Sequence, residues 1–221
     1  MYDITINQQI DWQEPQTPKA RQLMHLFGLR PVQLGKRRLQ HTCRLSLRPG
    51  DIVYITGASG AGKTVLLNAI YQQIPDNQRI RLDDIPIETG RPLIDCVDDR
   101  SLFDALEILS RAGLSDVFCA LQPPDQLSEG QKTRYRLARA LMSSRTVLFA
   151  DEFTSSLDRI TAAVIANRLR WAAGQTQRIF VLASCHEDIL PDLLPDILIV
   201  KYLTGKTETF YRDKRRGTGL N

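Results

Sequence analysis

An α/β fold with a mostly parallel central sheet is what this 221-residue sequence predicts, on two observations. Short apolar runs rich in β-branched residues alternate with helical stretches, and one strand-to-helix junction carries a glycine-rich loop. Strands that alternate with helices close into a parallel sheet whose two faces the helices cover.

In chain order, residues 1–30 are polar, hold Pro15 and Pro18, and end in a short amphipathic candidate at Ala20–Phe27. They are expected to belong to an N-terminal lead-in, residues 1–42. From Cys43 the pattern is strand (Cys43–Arg48), Pro49-Gly50 turn, strand (Asp51–Thr56), glycine-rich loop and helix (Lys63–Gln73). Further strands are expected at Pro92–Asp95, Thr146–Ala150, Ile179–Ser184 and Ile197–Tyr202, and helices at Leu102–Ala112, Gly130–Met142 and Arg159–Ala173. Pro123 and Pro124 separate a small helical lobe from the segment that begins at Leu127. The length fits one α/β domain, residues 1–221, with a small inserted lobe and no second full-sized domain.

Composition excludes several classes. With 43% hydrophobic and 24% charged residues the chain is of the soluble globular type, neither disordered nor collagen-like. Cys43, Cys96, Cys119 and Cys185 stand far apart without a C-x-x-C pair, which argues against a zinc site or dithiol centre and fits free thiols in a reducing, cytoplasmic setting. Met1–Asp11 lacks the basic start and apolar stretch of a signal peptide. The longest apolar runs are strand-length, well below the ~18–20 residues of a membrane helix, so no membrane insertion of its own is expected. A net charge of +4 admits a nucleic-acid partner without demanding one, because Lys and Arg are spread along the chain, with clusters at Gly35–Arg38 and Arg212–Arg216.

Gly57-Ala58-Ser59-Gly60-Ala61-Gly62-Lys63-Thr64 satisfies G-x-x-x-x-G-K-[ST] between a predicted strand and a predicted helix. Glycines let the backbone turn tightly, so that successive N–H groups and the helix N-terminus face phosphates. Lys63 can reach the β- and γ-phosphates, and the Thr64 hydroxyl can hold Mg²⁺. Thr146–Ala150 then ends in Asp151-Glu152, and strand C-termini are where α/β folds place ligands. Asp151 suits the Mg²⁺ shell, and Glu152 suits the water that attacks the γ-phosphate. Alone, such a pair also fits a helix cap. Together with the phosphate loop it predicts a P-loop NTPase.

Leu127-Ser128-Glu129-Gly130-Gln131-Lys132 resembles the signature sequence of ATP-binding-cassette (ABC) ATPases. Ser155-Ser156-Leu157-Asp158 resembles their D-loop and His186 their switch histidine, so that five segments in the family's order cover Cys43 to His186. The resemblance implies N-terminal antiparallel strands and a helical lobe, here residues 96–127. It implies ATP and Mg²⁺ as ligands, with Glu152, His186 and Lys63 catalytic, residues 57–64 with Ser128, Gly130, Gln131 and Asp158 on the nucleotide, and Thr64 and Asp151 on the metal. It further implies a homodimer with composite ATP sites, in which one copy's Ser128, Gly130 and following helix N-terminus face the γ-phosphate held by the other. Singly, Ser128–Gly130 also fits an N-cap and turn, Asp158 another cap, and His186 an ordinary loop histidine. Their joint order separates the two readings.

The sequence departs from the family in three respects. No Gln occurs between Gln78 and Gln122, where the family carries one that contacts Mg²⁺, and Asp95 is the candidate replacement, with Asp98 second. Lys36–Arg48 holds no aromatic to stack on adenine, which leaves Phe27 as the candidate. The stretch from Asp95 to Leu127 is short for the lobe on which a transporter's membrane subunit docks. With the runs Leu93–Cys96, Ala105–Leu114 and Asp151–Arg159, this resembles stand-alone soluble ABC ATPases, some of them joined to an acetyltransferase-like domain. A non-transport process driven through an unidentified protein or nucleic-acid partner is therefore the first expectation, and the ATP-binding subunit of a membrane transporter the alternative.

Overall fold

A computed structural model of the chain describes residues 1–10, 17–28, 39–97, 101–155 and 157–212. A long antiparallel pair comes first: β1 (Tyr2–Ile10) runs against β2 (Leu39–Leu47), Tyr2 opposite Leu47 and Ile10 opposite Leu39. Between them lies α1 (Pro18–Leu26), capped by Thr17. The main sheet holds β3 (Ile52–Thr56), β4 (Arg79–Arg81), β5 (Val147–Ala150), β6 (Ile179–Ala183), β7 (Ile197–Lys201) and β8 (Thr207–Tyr211), in the order β4-β5-β6-β3-β7-β8. All neighbours are parallel except β7 and β8. The helices are α2 (Lys63–Gln73), α3 (Leu93–Val97), α4 (Leu102–Arg111), α5 (Val117–Ala120), α6 (Glu129–Met142), α7 (Arg159–Thr176) and α8 (Leu190–Leu193).

Strand periodicity divides the core in two. Tyr54, Leu148, Phe180 and Leu182 face Tyr135 of α6 and Leu169 of α7. Val53, Ile55, Phe149 and Val181 face Leu66, Leu67 and Ile70 of α2, with Ile4 and Leu45 of the antiparallel pair. Every residue of β3 is buried, as a central parallel strand covered on both faces requires. The phosphate loop therefore springs from a fully enclosed support.

Three elements differ from the sequence expectation. Polar residues 1–10 form β1: Ile4 and Ile6 are buried while Asp3, Thr5 and Asn7 face out, the alternation of a half-buried strand. The strand expected at Pro92–Asp95 is instead α3, which Pro92 precedes; a short apolar run does not distinguish strand from buried helix by periodicity. The strand beside β5 is β4, whose sequence Arg79-Ile80-Arg81 gives no apolar signal. Both arginines lie over the ring of Tyr71, 4.0 and 4.5 Å from its centroid, so their stems cover apolar surface while their charge meets an aromatic face.

Candidate functional site

The chain leaves β3 at Thr56 and enters α2 at Lys63 through a loop whose Gly57, Gly60 and Gly62 have φ of 142°, 78° and 90°. These are backbone states that side-chain-bearing residues rarely adopt. At Gly57 the demand is steric as well, since a Cβ would collide with the carbonyl oxygen of Lys201 at the end of β7. Ala58, Ser59 and Gly60 are exposed, Ala61 is buried, and Gly62 caps α2. Lys63 is 5% exposed, with Nζ donating to Gly57 O at 3.1 Å and Ala58 O at 3.3 Å, while the Thr64 side of the first turn is open. The leading N–H groups of a helix have no intrahelical acceptor, so this turn offers donors to an anion.

Two strands across the sheet, β5 delivers Asp151 and Glu152. Asp151 Oδ1 accepts the Glu152 N–H at 3.1 Å. Glu152 has φ 44°, an uncommon left-handed state for a non-glycine residue. Its Oε1 lies 3.7 Å from Lys63 Nζ, and Cys185 Sγ donates to its Oε2 at 3.9 Å. Phosphate loop, acidic strand end and the segment after β6 thus meet at the same edge of the sheet.

His186, exposed, lies three residues beyond the end of β6. Its backbone N–H donates to Ser184 Oγ at 3.2 Å and its carbonyl accepts the Tyr54 hydroxyl. Burial pushes the Tyr54 phenol well above its ordinary range, so it stays a donor. Thr154 and Ser184 hydroxyls pair at 2.7 Å and tie the segment after β5 to the end of β6.

Ser128 is the N-cap of α6, in a reciprocal box: its Oγ accepts the Gln131 N–H at 3.3 Å, and Gln131 Oε1 accepts the Ser128 N–H at 2.9 Å. Gly130 lies in the first turn. Asp158 caps α7, accepting from Thr161 N at 2.9 Å and Thr161 Oγ1 at 2.6 Å; the Thr161 hydroxyl, then its N–H, hold this carboxyl below its ordinary range. The caps anticipated as local structure are present at both positions, and they orient each helix start.

Asp95 is exposed on α3, which removes the strand-end argument for placing it on the metal. Asp98 lies outside the described residues. Asp83, in the turn after β4 and outside the sequence-predicted set, lines a cavity of about 350 Å³ with Asp151, Glu152, Thr133 and Arg136. A signal existed in Leu82-Asp83-Asp84, an acidic pair following a short β-branched-containing run, but the arginines of β4 masked the strand. Phe27 ends α1 and is exposed. The open glycine cradle and the all-oxygen set of Thr64 and Asp151 fit a nucleotide phosphate and a hard divalent cation. Among the described residues no helix is long and apolar enough to cross a membrane.

The model of the ABC transporter family matches residues 40–103 and 88–155. The chain is 28% identical over 207 residues to the phosphonates import ATP-binding protein PhnC of Lactiplantibacillus plantarum, covering 72% of this chain and 80% of that protein. It is 31% identical over 208 residues to the lipoprotein-releasing system ATP-binding protein LolD of Maricaulis maris, covering 70% and 90%. Against the zinc import ATP-binding protein ZnuC of Yersinia pestis it is 32% identical over 146 residues, covering 58% of this chain and 56% of that protein. The fold is shared with the dimeric post-hydrolysis state of the ATP-binding cassette MJ0796 bound to ADP and Pi, at TM-score 0.61 and 21% identity over 79% of this chain and 92% of that one. With the family match running from residue 40 to 155 and a relative above 30% identity along most of the chain, the protein belongs to the ABC transporter family and is an ABC-type ATP hydrolase.

Proposed function

We propose that the chain, as a single ABC domain, binds ATP, hydrolyses it with Mg²⁺, and closes as a homodimer around two ATP molecules. The observation that carries this reading is the approach of Lys63 on the phosphate loop to Glu152 at the end of β5, 3.7 Å apart. The backbone donors of residues 57–64 and the start of α2 hold the phosphates. Lys63 leaves the loop carbonyls and Glu152 for the β- and γ-phosphates. Thr64 and Asp151 would hold Mg²⁺, which when bound neutralises phosphate charge. Glu152, freed, orients the attacking water and accepts its proton. His186, its backbone held by Tyr54 and Ser184, faces the γ-phosphate side, and Asp158 stands at the dimer face. Ser128, Gly130 and Gln131 at the start of α6 grip the γ-phosphate bound to the other copy, so hydrolysis releases a contact both copies share.

For the partner, the names of the relatives favour the ATP-binding subunit of a membrane transporter over the non-transport process first expected, because PhnC, ZnuC and LolD are each described as ATP-binding proteins of import or release systems. A specific observation sustains the second reading: among the described residues, the lobe between α3 and the signature holds α4, α5 and a single 3-10 turn at Pro124–Gln126. Affinity capture of the Glu152→Gln protein in ATP and Mg²⁺ separates the two. An integral membrane protein recovered from solubilised membranes supports the transporter, whereas a partner recovered from the soluble fraction alone rejects it. Absence of Mg²⁺-dependent phosphate release by the wild type would reject the ATPase reading itself.

A further inference from the structure

The glutamine that the family places on the metal has no counterpart in this chain between Gln78 and Gln122, and Asp95 lies on a helix. The sheet supplies another group. Strand β4 pairs with β5 in parallel, with Arg81 level with Phe149. Two residues further on, the first chain reaches Asp83 and the second Asp151, at the same edge of the sheet. Both line the one cavity, together with Glu152 and with Thr133 and Arg136 of α6.

Asp83 and its neighbour Asp84 diverge. Asp84 lines a different cavity with Ile85, Pro86 and Arg139, so the turn after β4 directs one carboxylate of the pair toward the acids of β5 and the other away. Asp83, Asp151 and Glu152 thus line one space, in which a cation is the complementary charge. Arg136 supplies one charge, and its Nε donates to Ile85 O at 3.2 Å, which ties this turn to the signature helix.

We propose that Asp83 is a positioning residue for the metal, its carboxylate fixing the water shell of a divalent cation held by Thr64 and Asp151. The proposal rests on the ATPase reading above. Asp83 is exposed on the turn after β4 and shares the cavity with Asp151, a placement that suits contact with the metal through bound water. Among the described residues no three acidic, His or Cys side chains converge closely enough to hold a metal by themselves. The nucleotide phosphates therefore complete the shell, as is usual for Mg²⁺, and tight metal binding requires nucleotide. An acid in place of the neutral amide raises affinity for the cation and makes Asp83, through Ile85 and Arg136, the link between metal occupancy and α6.

The test is Mn²⁺ affinity, followed by electron paramagnetic resonance, of the full chain loaded with a non-hydrolysable ATP analogue. Asp83→Asn keeps the side-chain shape and is expected to weaken Mn²⁺ by about ten- to a hundredfold, the usual effect of losing an outer-shell partner. Asp84→Asn leaves the affinity unchanged, and the analogue binds all three proteins equally without metal. Equal Mn²⁺ affinity for wild type and Asp83→Asn overturns the assignment, as does an equal loss in Asp84→Asn. A wild type that binds no Mn²⁺ with the analogue present would instead overturn the ATPase reading, so the two failures are distinguishable.

Discussion

Lys63 Nζ stands 3.7 Å from Glu152 Oε1, joining the helix that begins at the phosphate loop to the strand that ends in the acidic pair. The lysine is nearly buried and the glutamate half-exposed, so the cation is held in place while the carboxylate can turn to solvent. Lys63→Ala removes the charge that must meet the phosphates. A charge-assisted hydrogen bond contributes about 1.5–3 kcal/mol, so ATP affinity by calorimetry is expected to fall tenfold or more. Equal affinities would reject the assigned role.

Glu152→Gln keeps the shape of the side chain and removes its basicity. Turnover is expected to fall by about 10²–10⁴ while ATP stays bound, and light scattering in ATP and Mg²⁺ should register a dimer of twice the 25.1 kDa chain mass. Adding Ser128→Arg places a bulky side chain at the start of α6, where the partner's γ-phosphate must sit, and should return the protein to monomer. A dimer that survives the second substitution would show that the signature segment is not the interface.

Gly57 packs against the backbone of Lys201, which links the phosphate loop to β7. Gly57→Ala meets both a φ of 142° and an immovable carbonyl. The backbone strain alone costs about 1–3 kcal/mol, and the loop must shift to relieve it. Thermal unfolding is expected to show the loss of stability and calorimetry a loss of ATP affinity. Gly60→Ala has nothing within 4 Å of its Cβ and suffers from φ alone, so a larger stability loss at Gly60 than at Gly57 would contradict the packing argument.

Asp196, 3% exposed, accepts from Ile52 N at 2.9 Å and pairs with Arg170 at 2.6 Å and Arg212 at 2.7 Å. Burial pushes its carboxyl upward, but Arg170, the Ile52 N–H and Arg212 outweigh burial and leave it below the ordinary range. Its stabilisation is therefore complete above the unfolded value of about 3.9 and is lost as pH falls through the folded value. Asp196→Asn should cost about 3 kcal/mol at neutral pH. Its melting temperature should also fall less steeply below about pH 4 than that of the wild type. Parallel acid limbs for the two proteins would show that another group governs the acid response.

The phosphate loop, the Asp151-Glu152 strand end and the signature segment were legible in the sequence because each is a local pattern: a turn that only glycine tolerates, an apolar run that ends in acid, a cap followed by a helix. The α/β class was legible for the same reason, since alternating short apolar runs and helical stretches are near-neighbour signals. The position of β4 required the tertiary structure, because Arg79 and Arg81 owe their place in a strand to the Tyr71 ring beneath them and to pairing with β5, neither of which composition reveals. Pro92–Asp95 reads as a strand from its apolar run and folds as helix α3, whereas Asp83, on a turn with no such signal, shares the cavity of the acidic pair. Residues 1–10 read as polar and became β1, since a half-buried strand is defined by the partner that covers one face. Sequence determines which chemical groups this chain can bring to a phosphate; sheet order decides which of its carboxylates stand beside Asp151, because hydrogen-bonded pairing joins segments far apart along the chain.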